Sequence, residues 1–300
     1  MFKSGFVTII GRPNVGKSTL MNNMIGEKIS IMSDKPQTTR NKIQTVYTDE
    51  EAQIIFLDTP GIHKPKNHLG EFMNNEVDDA LDEMDLVIMI TDECSKIGPG
   101  DEYILEKVRG MNSKKILVIN KIDKHSKESM MEISKQFEEY GIFDDILLIS
   151  ALNDIGVKGL IKKIKEYLNE GPMYFPEDYL TDRPEKFVVA EIIREKALMY
   201  LQDEVPHGIA VEIEKMKERK DKNLMDIRAT IICEKKSHKS IVIGENGRKI
   251  KGIGKSARKD IEKLLDCQVF LDLWVKVSPD WRDNNNLLKS LGYDKVKKKW

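Results

Sequence analysis

The sequence predicts an α/β domain with a doubly wound, mostly parallel sheet, followed by a smaller α+β domain. In the first 170 residues, short β-branched runs such as "AQIIFLD" and "KKILVIN" alternate with polar turns and helical patterns such as "GLIKKIKEYLNE". After a stretch that contains Pro172, Pro176 and Pro184, the order changes to one helix, two strands, a Gly-rich helical region and a last strand. The two halves are therefore built differently.

The expected domain bounds follow the same change of pattern. We expect four segments: a first domain over 1–170, a linker over 171–185, a second domain over 186–280, and a C-terminal helix with a basic tail over 281–300. Residues 1–180 carry 22 Lys and Arg against 30 Asp and Glu, whereas residues 181–300 carry 27 against 20. An acidic module followed by a basic one indicates that the second part meets a polyanion such as nucleic acid.

The composition excludes several classes of protein. The 300-residue chain is 40% hydrophobic and 33% charged, as in ordinary globular proteins. Its longest apolar runs have the length of strands, so no transmembrane segment is expected. Three cysteines without metal-ligand spacing predict reduced thiols that are buried as small apolar side chains. We therefore expect a cytoplasmic protein without a removable signal peptide.

The segment "GRPNVGKST" follows the first predicted strand and precedes a helix, which is the context that a phosphate-binding loop needs. Its loop N–H groups and the helix N-terminus would cradle phosphates, Lys17 would reach the β- and γ-phosphates, and Ser18 would bind Mg²⁺. The expected contacts are Gly11, Asn14, Val15, Gly16, Lys17, Ser18 and Thr19.

Two further stretches predict groups around the γ-phosphate. In "DTPG", Asp58 closes a strand and can hold Mg²⁺, largely through water, while the Gly61 amide can reach the γ-phosphate. The polar stretch "SDKPQTTRNK" predicts a mobile loop that closes on Mg²⁺ through Thr39, with Thr38 as the alternative ligand. An inert surface loop is the other interpretation of that stretch.

The strings "NKID" and "SA" each follow a predicted strand and together indicate a guanine site. Asp123 can accept hydrogen bonds from the two donors of guanine, which adenine lacks in that arrangement. Lys121 offers its aliphatic stem to the base, and Asn120 can tie this loop to the phosphate-binding loop. Ser150 precedes Ala151, whose amide can reach the guanine oxygen.

Ile62 stands where Ras-type GTPases have the glutamine that orients the attacking water. Three groups remain as candidates for positioning that water: backbone groups of the loops, a monovalent cation such as K⁺ held by Asn14, or a partner macromolecule. His63 is better explained as a solvated loop residue. We therefore expect slow intrinsic turnover that rises with K⁺, with Lys17, Thr39, Gly61 and Asn14 as the catalytic set.

A second Gly-Lys-Ser, in "KGIGKSARK", fails the test for a phosphate-binding loop because Lys249 stands where the first glycine is required. The tetrad Gly244–Gly247 instead predicts a G-x-x-G loop between two helices, which lets a nucleic-acid backbone approach closely. Ten Lys and Arg lie between 235 and 263, against three acids. The expected RNA contacts are Gly244, Glu245, Asn246, Gly247, Arg248, Lys249, Lys251, Lys255 and Arg258.

The motifs of the chain resemble those of Era-type GTPases over essentially its whole length. They are "GRPNVGKSTLMN", "PQTTR", "DTPGIH", "NKID" and "SA", followed by "VIGENGRKIKGIGKSARKDIE". The resemblance implies a P-loop GTPase domain and a type II KH domain, with GTP or GDP and Mg²⁺ as cofactors. It also implies binding to the 3′ end of 16S ribosomal RNA, a role in maturation of the small ribosomal subunit, and a loose association with the inner membrane face. "SAL" replaces the Ser-Ala-Lys of many GTPases.

These inferences combine into a switch: GTP would order Thr39 and Gly61, and hydrolysis would relax them and release RNA. We expect a monomer. The first rival is an RNA-binding protein whose nucleotide pocket is only structural. A tRNA-modifying GTPase is disfavoured because it typically has a cysteine near the C-terminus, whereas the last cysteine here is Cys267, and a double-G-domain GTPase is excluded by the single P-loop.

Overall fold

The computed structural model describes residues 1–27, 38–62, 67–81, 84–93, 95–201, 205, 208–219 and 223–293. His63, Cys94, residues 28–37, which include all of the polar stretch before Thr38, and the basic tail from position 294 lie outside the described residues. Contacts divide the chain into two compact units, the first formed mainly by residues up to Asp182 and the second mainly by residues from Arg183.

A six-stranded sheet forms the centre of the first unit. Its strands are β1 (Lys3–Ile10), β2 (Ile43–Thr48), β3 (Ala52–Asp58), β4 (Leu86–Thr91), β5 (Lys114–Ile119) and β6 (Asp145–Leu148). They lie in the order β2-β3-β1-β4-β5-β6, and all neighbours are parallel except the edge pair β2–β3. The predicted doubly wound, mostly parallel sheet is confirmed, although β2 was not foreseen as a strand.

Helices cover both faces of this sheet. They are α1 (Lys17–Ile25), α2 (His68–Leu81), α3 (Pro99–Arg109), α4 (Lys127–Glu138) and α5 (Val157–Tyr167). Because successive strand residues point to opposite faces, Ile9 and Ile88 pack in one core with α1 and α5, whereas Ile10 and Val87 pack in another with α3 and α4. The strands are apolar on both sides for that reason.

The strand order reverses on either side of β1, whose neighbours are β3 and β4. Chain connections leave the carboxyl ends of these strands in opposite directions, which opens a crevice there. The loop from Gly11 to Gly16 begins at the end of β1, in this crevice. The fold thus places the glycine-rich loop where doubly wound domains bind their ligands.

The Pro-containing stretch after α5 runs along the edge of β2. The backbone N–H of Val46 donates to the carbonyl oxygen of Leu180 (3.0 Å), and the hydroxyl of Thr181 donates to the carbonyl oxygen of Gln44 (2.8 Å). The buried amide of Gln53 donates to the carbonyl oxygen of Phe175 (2.9 Å). This stretch therefore continues the sheet with backbone and side-chain hydrogen bonds.

The second unit has the order α–β–β–α–α–β. It contains α6 (Glu185–Tyr200), β7 (Ile209–Arg219), β8 (Leu224–Cys233), α7 (Lys236–Ile243), α8 (Arg248–Leu265), β9 (Gln268–Val277) and the short α9 (Asn285–Ser290). β8 pairs antiparallel with β7 and parallel with β9. The predicted α+β unit around a three-stranded sheet is confirmed. In the described segments, no helix has both the length and the apolar character that crossing a bilayer needs.

Candidate nucleotide site and nucleic-acid interface

The loop between β1 and α1 is shaped by close backbone contacts. Gly16 has a φ of +103°, a left-handed conformation that strains any residue with a β-carbon. A β-carbon at Gly16 would also collide with the side-chain amide of Asn120. The ammonium group of Lys17 donates to the carbonyl oxygens of Gly11 (3.0 Å) and Arg12 (2.8 Å), so its charge is held inside the loop.

The position of Lys17 has an electrostatic cost. Burial lowers the pKa of Lys17 to about 8, with Asp58 and Asp92 opposing that shift and Arg12 reinforcing it. Lys17 therefore stays mostly protonated at neutral pH, in a site that lacks a full complement of negative charge. A phosphate group placed in the loop would supply that charge and stabilise the ammonium.

One side chain joins three loops at the carboxyl edge of the sheet. Asn120, at the end of β5, donates from Nδ2 to the carbonyl oxygen of Val15 (2.8 Å) and accepts at Oδ1 from the N–H of Ala151 (2.8 Å). This is the tie to the phosphate-binding loop that the sequence analysis expected of Asn120. The Ala151 N–H, expected to face guanine, is thus engaged by Asn120 in this structure.

The residues expected to read the base lie on the same edge. The hydroxyl of Ser150 donates to Oδ1 of Asp123 (2.5 Å), and this hydrogen bond, more than any other contact, lowers the pKa of Asp123. Asp123 is solvent-exposed, so its carboxylate is ionised and accessible to a base. Lys121 adopts a left-handed φ of +63°, which turns its side chain back across Asp92 and the carbonyl oxygen of Asn14.

Two of the three expected magnesium ligands are in contact. The hydroxyl groups of Ser18 and Thr39 lie 3.0 Å apart, and Thr39 is buried, so the residue preferred over Thr38 reaches the site. Asp58 ends β3 with its side chain fully buried. Hydroxyl and carboxylate oxygens suit Mg²⁺, which in nucleotide sites also takes phosphate oxygens and water as ligands. Among the described residues, no cluster of His, Cys, Asp and Glu offers a different metal site.

Ile62 is held away from the nucleotide crevice. Its side chain is only 6% exposed and packs in the core with Ile10 and Val77. Just before it, Gly61 lies against the loop so closely that a β-carbon there would be 2.8 Å from the backbone nitrogen of Pro13. The chain therefore directs a backbone group, rather than the side chain of residue 62, toward the phosphate-binding loop.

The tetrad Gly244–Gly247 connects α7 to α8, as expected. Gly244, Asn246 and Gly247 all have positive φ (+71°, +51° and +72°), which makes a sharp turn between the two helices. A β-carbon on Gly244 would lie 2.7 Å from Cγ of Lys249. The turn thus has a compact backbone, with the side chains of Glu245 and Asn246 exposed beside it.

The helix after this turn is strongly two-sided. Ile253, Ala257 and Ile261, spaced four residues apart, are buried against the unit. Lys251 and Lys255 are exposed on other faces of the same helix. The remaining expected RNA contacts on the helix are Arg248, Lys249 and Arg258, of which Arg248 and Arg258 have exposed side chains. α8 therefore presents cations beside the turn while its apolar face holds it in place.

Three charged residues at the nucleotide site were not among the individually expected contacts: Arg12, which lies inside the phosphate-loop motif, and Asp92 and Asp101, which lie outside every motif. Asp92 had a recognisable pattern, since "LVIMITD" ends in a carboxylate at the same sheet edge as Asp58. Asp101 lies ten positions beyond the end of its strand, in the first turn of α3, and only the folded chain brings it to the loop.

The first unit combines a glycine-rich phosphate loop with a base-reading loop, and the second has a G-x-x-G turn between helices: the chain is a P-loop GTPase joined to a KH domain. Family models agree, since one described as "50S ribosome-binding GTPase" matches residues 6–121 and one described as "KH domain" matches residues 204–282. GTPase Era of Alkaliphilus metalliredigens is 61% identical over 98% of this chain and 99% of its own length. GTPase Era of Clostridioides difficile is 59% identical with the same coverage. The chain belongs to the Era family of GTPases.

Solved structures agree over the full length. A crystal structure of Era in complex with MgGDPNP and nucleotides 1506–1542 of 16S ribosomal RNA matches with a TM-score of 0.94 and 42% identity, over 98% of this chain and 99% of that one. A variant of Aquifex aeolicus Era bound to GDP·AlF4⁻ matches with a TM-score of 0.93 and 42% identity, over 97% and 99%.

Replacing Ile62 by glutamine should not create a Ras-type enzyme. Because the backbone directs this side chain into the core, Ile62→Gln should leave the single-turnover rate of GTP hydrolysis within about twofold of the wild type and destabilise the chain by about 1–3 kcal/mol. Phosphate release and urea unfolding measure the two effects. A tenfold faster hydrolysis would show that residue 62 reaches the phosphates.

Proposed function

We propose that this protein is a GTP-binding and GTP-hydrolysing switch that binds the 3′ end of 16S ribosomal RNA and assists maturation of the small ribosomal subunit. The observation that carries the proposal is the Asn120 side chain, which joins the phosphate loop to the loop that carries Asp123. This contact joins the motif for phosphates and the motif for guanine into a single site.

Each residue of the site has a proposed role. Loop N–H groups and Lys17 bind the phosphates, and Asp123 accepts the two guanine donors. Lys121 covers the base with its aliphatic stem. Leu152, at the "SAL" position, brings no second charged side chain to the base. The nucleotide contacts are Gly11, Asn14, Val15, Gly16, Lys17, Ser18, Thr19, Asp58, Gly61, Asn120, Lys121, Asp123, Ser150 and Ala151. Ala151 serves by sharing its N–H between Asn120 and the guanine oxygen.

Hydrolysis needs an attacking water in line with the γ-phosphate and stabilisation of the charge that develops there. Bound Mg²⁺, for which Ser18, Thr39 and Asp58 are the proposed ligands, would supply positive charge to the phosphate oxygens. Lys17 adds the charge of its ammonium group, and Gly61 lies against the phosphate-binding loop, where its N–H would reach the γ-phosphate. The side chain of residue 62 does not take the role of glutamine, because Ile62 lies in the core.

The identity of the base can be tested at Asp123. In Asp123→Asn, the amide accepts one hydrogen bond and donates another, which suits xanthine better than guanine. GTP affinity should fall about 10- to 100-fold and XTP affinity should rise, as measured by calorimetry. Asp178→Asn, at an exposed acid of the linker, is the matched control and should change neither affinity. A chain that binds ATP as tightly as GTP would contradict the proposal.

The cation requirement can be tested at Asn14, which occupies an exposed, left-handed position in the phosphate loop with a φ of +66°. A cation bound near the β–γ bridge would replace the missing glutamine as a source of charge. Hydrolysis should be several-fold faster in KCl than in NaCl, and Asn14→Ala should remove the difference while GDP affinity is kept. If the hydrolysis rates are equal in both salts and Asn14→Ala does not change them, the cation is not involved. Backbone groups or a partner macromolecule would then position the water.

The proposed RNA site is the G-x-x-G turn with the basic residues that follow it. Gly244, Glu245, Asn246 and Gly247 form the turn, and Arg248, Lys249, Lys251, Lys255 and Arg258 line the helix. The related Era structure contains a segment of 16S ribosomal RNA and matches the whole chain, including this unit. The description that mentions the 50S subunit belongs to a model that covers residues 6–121 alone. The small subunit is therefore the better supported target.

Two lysines provide a direct test of RNA binding. Lys251→Gln with Lys255→Gln should weaken binding to 16S nucleotides 1506–1542 about tenfold and lower the slope of log affinity against log salt by about one for each lysine. Lys217→Gln, at an exposed lysine on β7, is the control. A loss as large in the control would mean that net charge, rather than the helix, determines binding.

Binding of the same RNA in different nucleotide states tests the proposed coupling between nucleotide and RNA. Its affinity should differ among the GTP-analogue, GDP and nucleotide-free states, because a ligand shifts a conformational equilibrium only by binding the two states unequally. Equal affinities in all three states would remove the switch from the proposal, and an absence of multiple-turnover phosphate release would favour the purely structural pocket.

The organisation and location of the protein are also proposals. We assign the G domain to 1–170, the linker to 171–185, the KH domain to 186–280 and the C-terminal segment to 281–300, and limited proteolysis would test these bounds. A monomer in the cytoplasm that meets the inner membrane face only peripherally fits the chemistry of the chain. Sedimentation with anionic vesicles, at several salt concentrations, tests the membrane contact.

A further inference from the structure

We propose that Arg12 is a positioning residue, clamped by Asp92, Glu93 and Asp101, and that it holds the phosphate-binding loop in the shape that retains the nucleotide. This inference rests on the nucleotide site proposed above. It concerns how long the nucleotide stays bound rather than which base is chosen.

The guanidinium group of Arg12 has three carboxylate partners from two segments that follow β4. Its Nε lies 2.8 Å from Oδ2 of Asp101, and its terminal nitrogen lies 3.0 Å from Asp92 and 2.8 Å from Glu93. The contact with Asp92 is a hydrogen bond, whereas the contact with Asp101 is an ion pair without hydrogen-bond geometry. A planar guanidinium group can face several carboxylates at once, which the point charge of a lysine does less well. The Arg12 backbone is therefore fixed from outside the loop, and its carbonyl oxygen is one of those that accept from Lys17.

The first turn of α3 leaves space for this side chain. A β-carbon on Gly100 would lie 2.6 Å from Cδ of Arg12. The arginine thus passes directly over the start of the helix to reach Asp101, which is fully buried. An ion pair on the surface would require neither a glycine at position 100 nor a buried acid at position 101. The contact between Arg12 and Asp101 is therefore part of the packed interior.

The energetics of Asp101 argue against a role in folding stability. Burial raises the pKa of Asp101 to about 6, with the charge of Arg12 only partly opposing that shift and the charges of Glu93 and Asp92 adding to it. A folded-state pKa above the ordinary value means that, between that value and about 6, rising pH lowers the stability contributed by this group. The ionised form of Asp101 is therefore less favourable for folding than the protonated form.

Asp92 extends the network to the base-reading loop. One of its oxygens binds Arg12, and the other lies 2.6 Å from the ammonium of Lys121, which also donates to the carbonyl oxygen of Asn14 (2.7 Å). Four residues thus link α3, the phosphate loop and the "NKID" loop: Asp101, Arg12, Asp92 and Lys121. Loosening Arg12 should let the phosphate loop open, and GDP should leave faster.

The test uses the full chain and the release rate of a fluorescent GDP at constant magnesium. Asp101→Asn should release GDP about three- to tenfold faster at pH 7.5, while its free energy of unfolding is equal to or above that of the wild type. Arg12→Ala should release GDP at least as fast as Asp101→Asn, and the double variant no faster than Arg12→Ala. Arg109→Ala breaks an exposed ion pair with Glu106 on the same helix and is the matched control.

The pH dependence separates positioning from a general loss of structure. As pH falls through about 6, Asp101 loses its charge in the wild type, so the ratio of the Asp101→Asn rate to the wild-type rate should approach one. Using the ratio cancels the titration of GDP itself, and Lys17 stays protonated throughout this range.

Three results would overturn the inference: wild-type release from both single variants, a ratio that does not change with pH, or a loss of stability in Asp101→Asn without faster release. Arg12→Ala, in a half-buried loop position, keeps the test decisive if Asp101→Asn does not fold. Failure of the wild type to bind GDP at all would instead contradict the proposed function, so the two failures are distinguishable.

Discussion

The amide group of Asn120 is the contact on which the nucleotide site depends. It uses both of its polar atoms on backbone groups, the carbonyl of Val15 and the N–H of Ala151, and it is almost completely buried. A buried amide that satisfies two backbone groups fixes their separation, because either group alone would be costly to leave unpaired. Gly16 lacks a β-carbon at the place where this amide lies. The phosphate-binding loop and the base-reading loops are therefore held at a fixed distance from each other.

Much of the fold follows from local patterns in the sequence. The parallel strands are apolar on both faces, so their runs are continuous and easy to read, and glycine spacing identifies both loops. β2 was missed because it is an antiparallel edge strand whose residues 43–48 are only partly buried and directly follow a polar loop. The tetrad Gly244–Gly247 was expected between two helices, and the run "KSIVI" before it does belong to α7, where only Val242 is buried.

Contacts between loops could not be read from the sequence in the same way. The "NKID" pattern indicates that Lys121 and Asp123 belong to a base-reading loop, but not that the ammonium of Lys121 lies on Asp92. The partners of long charged side chains depend on how α3 packs against the strands. The sequence contains no periodic pattern that reports this packing. The Ala151 amide is another case, since its partner Asn120 is 31 residues away. Ile62 was identified as lacking polar atoms, whereas its burial in the core emerged only from the fold.

The stretch that contains Leu180 and Thr181 covers backbone groups at the edge of β2 that could otherwise pair with another molecule. The free edge of a sheet exposes unpaired backbone groups that readily join the edge of another molecule. Here the N–H of Val46 and the carbonyl of Gln44 are already occupied by Leu180 and Thr181. A fragment that ended at Tyr167 would uncover this strand and be prone to aggregate. Residues that resemble a connector in the sequence therefore complete the edge of the sheet in the first unit.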